Sequence, residues 1–214
     1  EDSEITHRND NLGYVVVDVP NGDQGTVSVL EYWTGVQYTE EVQTYETMDV
    51  PNDPYFDNMY APQQVNAPEA WDTTMGSTDV TIGIVDTGAD YEHEDLAGLY
   101  ASDPGYDYVD NDEDPYPDGG ATHGTHTSGC ASAETDNGTG VSGVSNSRLI
   151  CARVLGGGSG SSYDIADGIE YCVDRGADVI NLSLGGGYSR VTHQACQYAV
   201  NNGAVVMAAA GNSG

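Results

Sequence analysis

The run VTIGIVD, Val80 to Asp86, decides the fold. It is six apolar or small residues closed by a carboxylate. That is too short for a helix of ordinary length, and it does not alternate as a strand with one wet face would. It reads as a strand buried on both faces. Three more runs share its texture: RLICARVL (148–155), DVINLSL (178–184) and AVVMAAA (204–210). Between the last three lie DIADGIEYCVDRG (164–176) and VTHQACQYAVNNG (191–203), each with helical periodicity and each ending at a glycine. Strand, helix, strand, repeated, predicts parallel strands joined by right-handed crossovers. In such sheets, sites gather at the carboxyl ends of the strands.

The first part of the chain has a different texture. From Glu1 to about Thr47 it is acidic, with one clear strand, YVVVDVP (14–20). A short helix is expected from about Gly25 to Trp33, and VQYTEEV (36–42) reads as extended. MDVPNDPYF (48–56) is a proline-punctuated connector. The boundaries expected are therefore 1–47 and 48–214.

Thirty-five acidic residues stand against five arginines (Arg8, Arg148, Arg153, Arg175, Arg190) and no lysine, a net charge of −30 over 214 residues. Such a chain repels nucleic acid and anionic membranes, so neither is expected as a partner. It also repels itself unless salt screens its carboxylates, which points to a high-salt environment. No apolar run approaches the roughly 18 residues that would span a membrane. No signal-peptide pattern stands at Glu1. Cys130, Cys151, Cys172 and Cys196 show no C-x-x-C spacing. That disfavours a zinc site and leaves open whether any of them pair.

Three short motifs carry chemistry. In GIVDTGAD, Asp86 ends the decisive strand, either as a plain turn residue or as a desolvated carboxylate in need of a partner. In HGTHTSGCASA, Gly124 allows close approach, and His123 opens a helix at the sheet edge. His126 follows at i+3. The metal-binding H-E-x-x-H pattern wants i+4 and a carboxylate between, so metal is disfavoured. A buried structural role is expected for His126. In MAAAGNSG, Asn212 follows a strand of small residues, where its amide could donate to a developing oxyanion.

Together and in this order, GIVDTG, HGTHTSG, INLSLGG and AAAGN resemble the subtilisin-like serine proteases. The resemblance runs from Pro51 to Gly214. PNDPYF (51–56) and YAPQQVNAPEAW (60–71) are most similar to the thermitase and halolysin group.

The resemblance implies an α/β, three-layer subtilisin-like fold with a mainly parallel sheet and helices on both faces, C-terminally incomplete. It implies a secreted, calcium-dependent serine endopeptidase acting on peptide or protein substrates. His123 would be the general base, Asp86 its orienting carboxylate and Asn212 the oxyanion donor. Ser183, Leu184 and Gly185 would line one side of an extended substrate, and Gly158, Ser159 and Gly160 the other. The family nucleophile lies in G-T-S-x-A, and no Gly-Thr-Ser occurs here. The sequence is therefore expected to be the front portion of a longer protein. Residues 1–47 resemble the end of an inhibitory propeptide, a small α+β remnant.

The resemblance also implies a tight Ca²⁺ site. Asp53, Asp95 and Asn137 would give side chains, and Glu134, Thr139 and Val141 carbonyls. A weaker site would use Asp107, Asp110, Asp112 and Asp114. Two other classes compete: a catalytically dead relative that binds peptide or calcium, and a Rossmann-like nucleotide binder built on VLGGGSGSS (154–162). The latter lacks its third glycine.

Overall fold

The computed structural model describes residues 4–19, 32, 34–42 and 50–212. The chain divides into two compact units, Glu1–Thr47 and Met48–Gly214.

In the first unit, β1 (Glu4–Asn9) pairs antiparallel with β2 (Tyr14–Asp18), with a register irregularity between Ile5 and His7. The expected strand at 14–20 is there over Tyr14–Asp18, and Pro20 lies outside the described residues. Its partner EITHRN carries no strand signal in the sequence, because a mostly exposed, polar strand shows no apolar pattern. The helix expected near 25–33 lies outside the described residues, apart from Tyr32. Residues 36–42 join no sheet among the described residues.

The second unit is built on β3 (Thr81–Asp86), β4 (Tyr100–Asp107), β5 (Arg148–Arg153), β6 (Val179–Leu182) and β7 (Val205–Ala208). Their order across the sheet is β4-β5-β3-β6-β7, and every neighbouring pair is parallel. The helices are α1 (Ala61–Gln64), α2 (Ala67–Trp71), α3 (His123–Ser132), α4 (Ser162–Asp174) and α5 (Arg190–Asn201).

The two-sided burial expected of the apolar runs is visible in which residues pack together. On one face Val85, Ile150 and Ala152 meet Ile169 and Cys172 of α4, and Ala199 of α5 joins them. On the other, Ile84, Leu149 and Cys151 pack with Leu96, Leu99, Tyr100 and Ala133, which follows α3. Neighbouring residues of one strand thus serve opposite cores, which makes a three-layer α/β fold. Ile84, Leu149, Ile169 and Ile180 are fully buried, each contributing about 1.5–3 kcal/mol. The helices on the first face start at serine caps: Ser161 Oγ accepts from Asp164 N, and Ser189 Oγ from Thr192 N.

Strand β4 was not anticipated. YASDPGYD holds a proline and a register shift between Tyr100 and Gly105, as suits an edge strand. No helix among the described residues is long and apolar enough to cross a membrane.

Candidate active site

The parallel sheet brings the carboxyl ends of its strands to one edge. Asp86 closes β3 there and is fully buried. His123 is the first residue of α3, and its Nδ1 lies 2.7 Å from Asp86 Oδ1. The imidazole side chain is 55% exposed. One ring nitrogen is therefore tied to a buried anion while the ring faces solvent. Asp86 Oδ1 also accepts from Thr87 N at 2.7 Å, whereas Oδ2 has no partner among the described residues.

The close approach depends on Gly124. A Cβ there would fall 2.1 Å from Gly88 O, so any side chain would push α3 off the turn that follows Asp86. The small polar sequence of α3 serves the same end, because the helix is held by hydrogen bonds as much as by packing. Ser128 Oγ donates to Gly124 O and meets the hydroxyl of buried Tyr100, and Ser132 Oγ reaches Ser145 O and Ser147 O.

His126 is exposed, not buried as expected. Its ring makes a loose contact with Cys130 Sγ, at 3.8 Å. Helical spacing fixed its direction, but sequence could not tell which face of α3 the sheet covers.

Asn212 stands past the end of β7, exposed. Ser183 and Leu184 follow β6 and are half-buried, and Gly185 is exposed. Gly158, Ser159 and Gly160 are exposed on the loop after β5, which folds on itself through Gly156 N to Ser159 O, 2.9 Å.

The nucleotide reading fails at this loop. Asp164 sits in the first turn of α4 with its carboxylate 2.6 Å from Ser161 Oγ. A negative charge occupies the helix N-terminus that a phosphate would need.

The cysteines are all free, and Cys151 and Cys172 are buried. Burial pushes the Cys172 thiol up to about 12.

The tight calcium set is drawn onto one loop. Asp53 and Asp95 are both buried. Asp53 Oδ2 accepts from Asp136 N and from Ser142 Oγ at 2.6 Å, and Asp53 Oδ1 is buried with no partner among the described residues. Asp95 accepts from Asn137 Nδ2 at 2.9 Å and from Val141 N at 2.8 Å. Gly140, at φ 51°, carries the loop so tightly past Asp95 that a Cβ would lie 2.2 Å from its Oδ2. Two buried carboxylates, one with an orphaned oxygen, beside the loop that bears Glu134, Thr139 and Val141, fit a hard divalent cation.

The weaker set does not assemble. Among the described residues no three His, Cys, Asp or Glu side chains form a metal-sized cluster, in this set or in the tight one, whose fit rests on two carboxylates and the oxygen atoms of the loop. Arg153, buried at the end of β5, takes the first two of its acids: NH1 pairs with Asp107 and with Asp110 (2.7 Å), and NH2 with Asp118 (2.9 Å). Asp112 Oδ1 accepts from Asp114 N, and Asp114 Oδ1 from Tyr91 OH and Tyr116 N. Burial alone would lower the Arg153 guanidinium, but its bonds to Asp110 and Asp107 outweigh that and raise it. The cation that Asp107 and Asp110 hold is an arginine.

A family model described as "Subtilase family" matches residues 77–214. The chain belongs to the subtilase family. The halolysin-like extracellular serine protease Nep of Natrialba magadii is 48% identical to this subtilase over 194 residues, covering 86% of this chain and 36% of Nep. Thermitase of Thermoactinomyces vulgaris is 49% identical over 169 residues, covering 77% of this chain and 58% of thermitase. It is thus a thermitase- and halolysin-like subtilase, and it spans little more than a third of the halolysin-type relatives' length. The crystal structure of a cold adapted subtilisin-like serine proteinase matches it with a TM-score of 0.54 at 36% identity, over 63% of this chain and 47% of that one.

Proposed function

We propose that this subtilase is the front portion of a secreted serine endopeptidase that works in high salt. The observation that carries the proposal is the 2.7 Å contact between His123 Nδ1 and buried Asp86 beneath an exposed imidazole. Asp86 holds the proton on Nδ1 and leaves Nε2 basic. His123 Nε2 then removes the proton from a serine hydroxyl as that oxygen attacks the peptide carbonyl, and later delivers it to the leaving amine. Asp86 stays ionised and stabilises the imidazolium. Asn212 donates its amide to the oxyanion. Ser183–Gly185 and Gly158–Gly160 hold the substrate main chain as an added strand.

The nucleophile lies outside these 214 residues. The sequence has no Gly-Thr-Ser. Ser128 and Ser132 are committed to the hydrogen bonds that hold α3. Residues 1–47 serve as part of an inhibitory propeptide. Bound Ca²⁺ would be held by Asp53, Asp95, Asn137 and the carbonyls of Glu134, Thr139 and Val141. It would lock the 134–142 loop without entering the chemistry. Secretion is supported by the extracellular relative, and the salt requirement by the charge of −30.

The test is to express the open reading frame containing these residues and assay a fluorogenic peptide in molar salt. His123→Ala should reduce turnover by several orders of magnitude. Asn212→Ala should cost roughly 100- to 1000-fold, and His126→Ala far less than His123→Ala. The 214-residue chain alone should not react with a fluorophosphonate probe. Peptide binding without any turnover by the wild type would mark a dead relative and sink the proposal.

A further inference from the structure

Helix α3 begins without a cap of its own. The Thr122 side chain makes no capping hydrogen bond. A helix start leaves four N–H groups in need of acceptors. One of them, the buried N–H of Gly124, is taken by Thr87 Oγ1 at 3.0 Å. Thr87 lies in the turn after Asp86, on another element. The turn receives a bond in return: Asp90 N donates to Thr125 Oγ1 at 2.9 Å. Two threonines, one on each element, thus clasp the β3 turn and the start of α3. Thr87 does one thing more. Its own N–H donates to Asp86 Oδ1, the oxygen that faces His123.

We propose that Thr87 and Thr125 are positioning residues that fix His123 against Asp86. The inference rests on the reading of Asp86 and His123 given above. The rest of α3 is anchored further along, through Ser128 to Tyr100 and through Ser132 to the carbonyls of Ser145 and Ser147. Loss of the clasp should therefore leave the helix docked while its first turn shifts. That turn carries the imidazole. Valine is the informative replacement, because it keeps the threonine shape and removes the acceptor, leaving Gly124 N–H buried and unpaired. Serine keeps the acceptor.

The test uses NMR on the ¹⁵N-labelled protein expressed from the open reading frame that contains these residues, in molar salt, with two readouts. One is exchange of the Gly124 amide. The other is the His123 Nδ1 proton, which a short bond to a carboxylate moves far downfield. Thr87→Val should speed Gly124 exchange by about tenfold, the loss of one buried hydrogen bond. It should also shift or broaden the His123 resonance. Thr87→Ser should restore both. Thr125→Val should disturb the His123 resonance while Gly124 stays protected, and it decides the matter if Thr87→Val does not fold. A resonance abolished by Asp86→Asn but unmoved by either valine overturns the inference alone. A wild type without that resonance, or one whose resonance ignores Asp86→Asn, overturns the reading of the site and the inference with it.

Discussion

Arg153→Met is the most informative single change outside the candidate site. Arg153 is 4% exposed and Asp107 1% exposed, so their ion pair is cut off from water. Asp110 and Asp118 have side chains 54% and 74% exposed, and pairs of that kind contribute about 0–1 kcal/mol each. The cost therefore falls on Asp107. Without the guanidinium it keeps only the N–H groups of Val109 and Asp110, at 2.7 and 3.1 Å. Removing one partner of a buried pair costs about 3–5 kcal/mol, since the other charge is left uncompensated. For a unit of this size each kcal/mol lowers Tm by roughly 2–4 °C, so a drop of about 6–20 °C is expected. The assay is thermal unfolding in molar salt, with Arg153→Met, Asp107→Asn and the double variant. The double variant should recover much of the loss, because it removes the orphaned charge. Added Ca²⁺ should not rescue Arg153→Met. A loss below about 1 kcal/mol would refute the buried-pair argument. A calcium-specific rescue would restore Asp107 as a metal ligand.

Calcium should raise the melting temperature through the Asp53–Asp95 loop, by about 2.7 kcal/mol of stability at a hundredfold excess over Kd. Asp95→Ala should abolish that gain, and equal responses of wild type and variant would show the site is elsewhere. At alkaline pH the fold should weaken, because burial raises Cys172 to about 12, and burial with the Asp114 hydrogen bond raises Tyr91 to about 12. Unfolded thiols and phenols titrate near about 8.5 and 10. The stability these groups supply is thus complete below about pH 8.5 and is lost as pH climbs to about 12. Melting curves unchanged from pH 8 to 12 would contradict this, and Tyr91→Phe should blunt the upper part of the decline. With 35 acids against five arginines, folding should need high ionic strength. Circular dichroism that reports equal stability at millimolar and molar salt would refute it.

The sheet was legible where burial is symmetrical. β3, β5, β6 and β7 lie in apolar runs that helical or turn residues bound, and the residues of β3 and β5 divide between two cores. β4 was not legible, because an edge strand with a bulge needs no continuous apolar pattern and YASDPGYD shows none. The Asp86 and His123 pairing could be expected because each stands in a local motif at a strand or helix end. The acid cluster at 107–114 could not be resolved the same way. Carboxylates in a row announce that some cation is needed, not which one. The signal that was present is Arg153 itself, a charged residue inside the apolar run RLICARVL. A charge at a position whose neighbours are all buried needs a partner that is buried too.

That arginine bears on the candidate site through register. In the sheet Asp86 lies directly opposite Arg153. A guanidinium on a neighbouring strand end is a natural partner for a buried carboxylate, and had it turned to Asp86 it would compete with His123 for the same anion. The structure directs it elsewhere. Both terminal nitrogens of Arg153 are spent on Asp107, Asp110 and Asp118, all from β4 and the loop that follows it. Asp86 is left with one N–H from Thr87, the His123 imidazole and one unpartnered oxygen. The acid-rich loop thus does two jobs with one set of charges. It ties the edge strand to its neighbour β5, and it occupies the cation beside Asp86, so that the anion at the carboxyl edge is available to the imidazole above it.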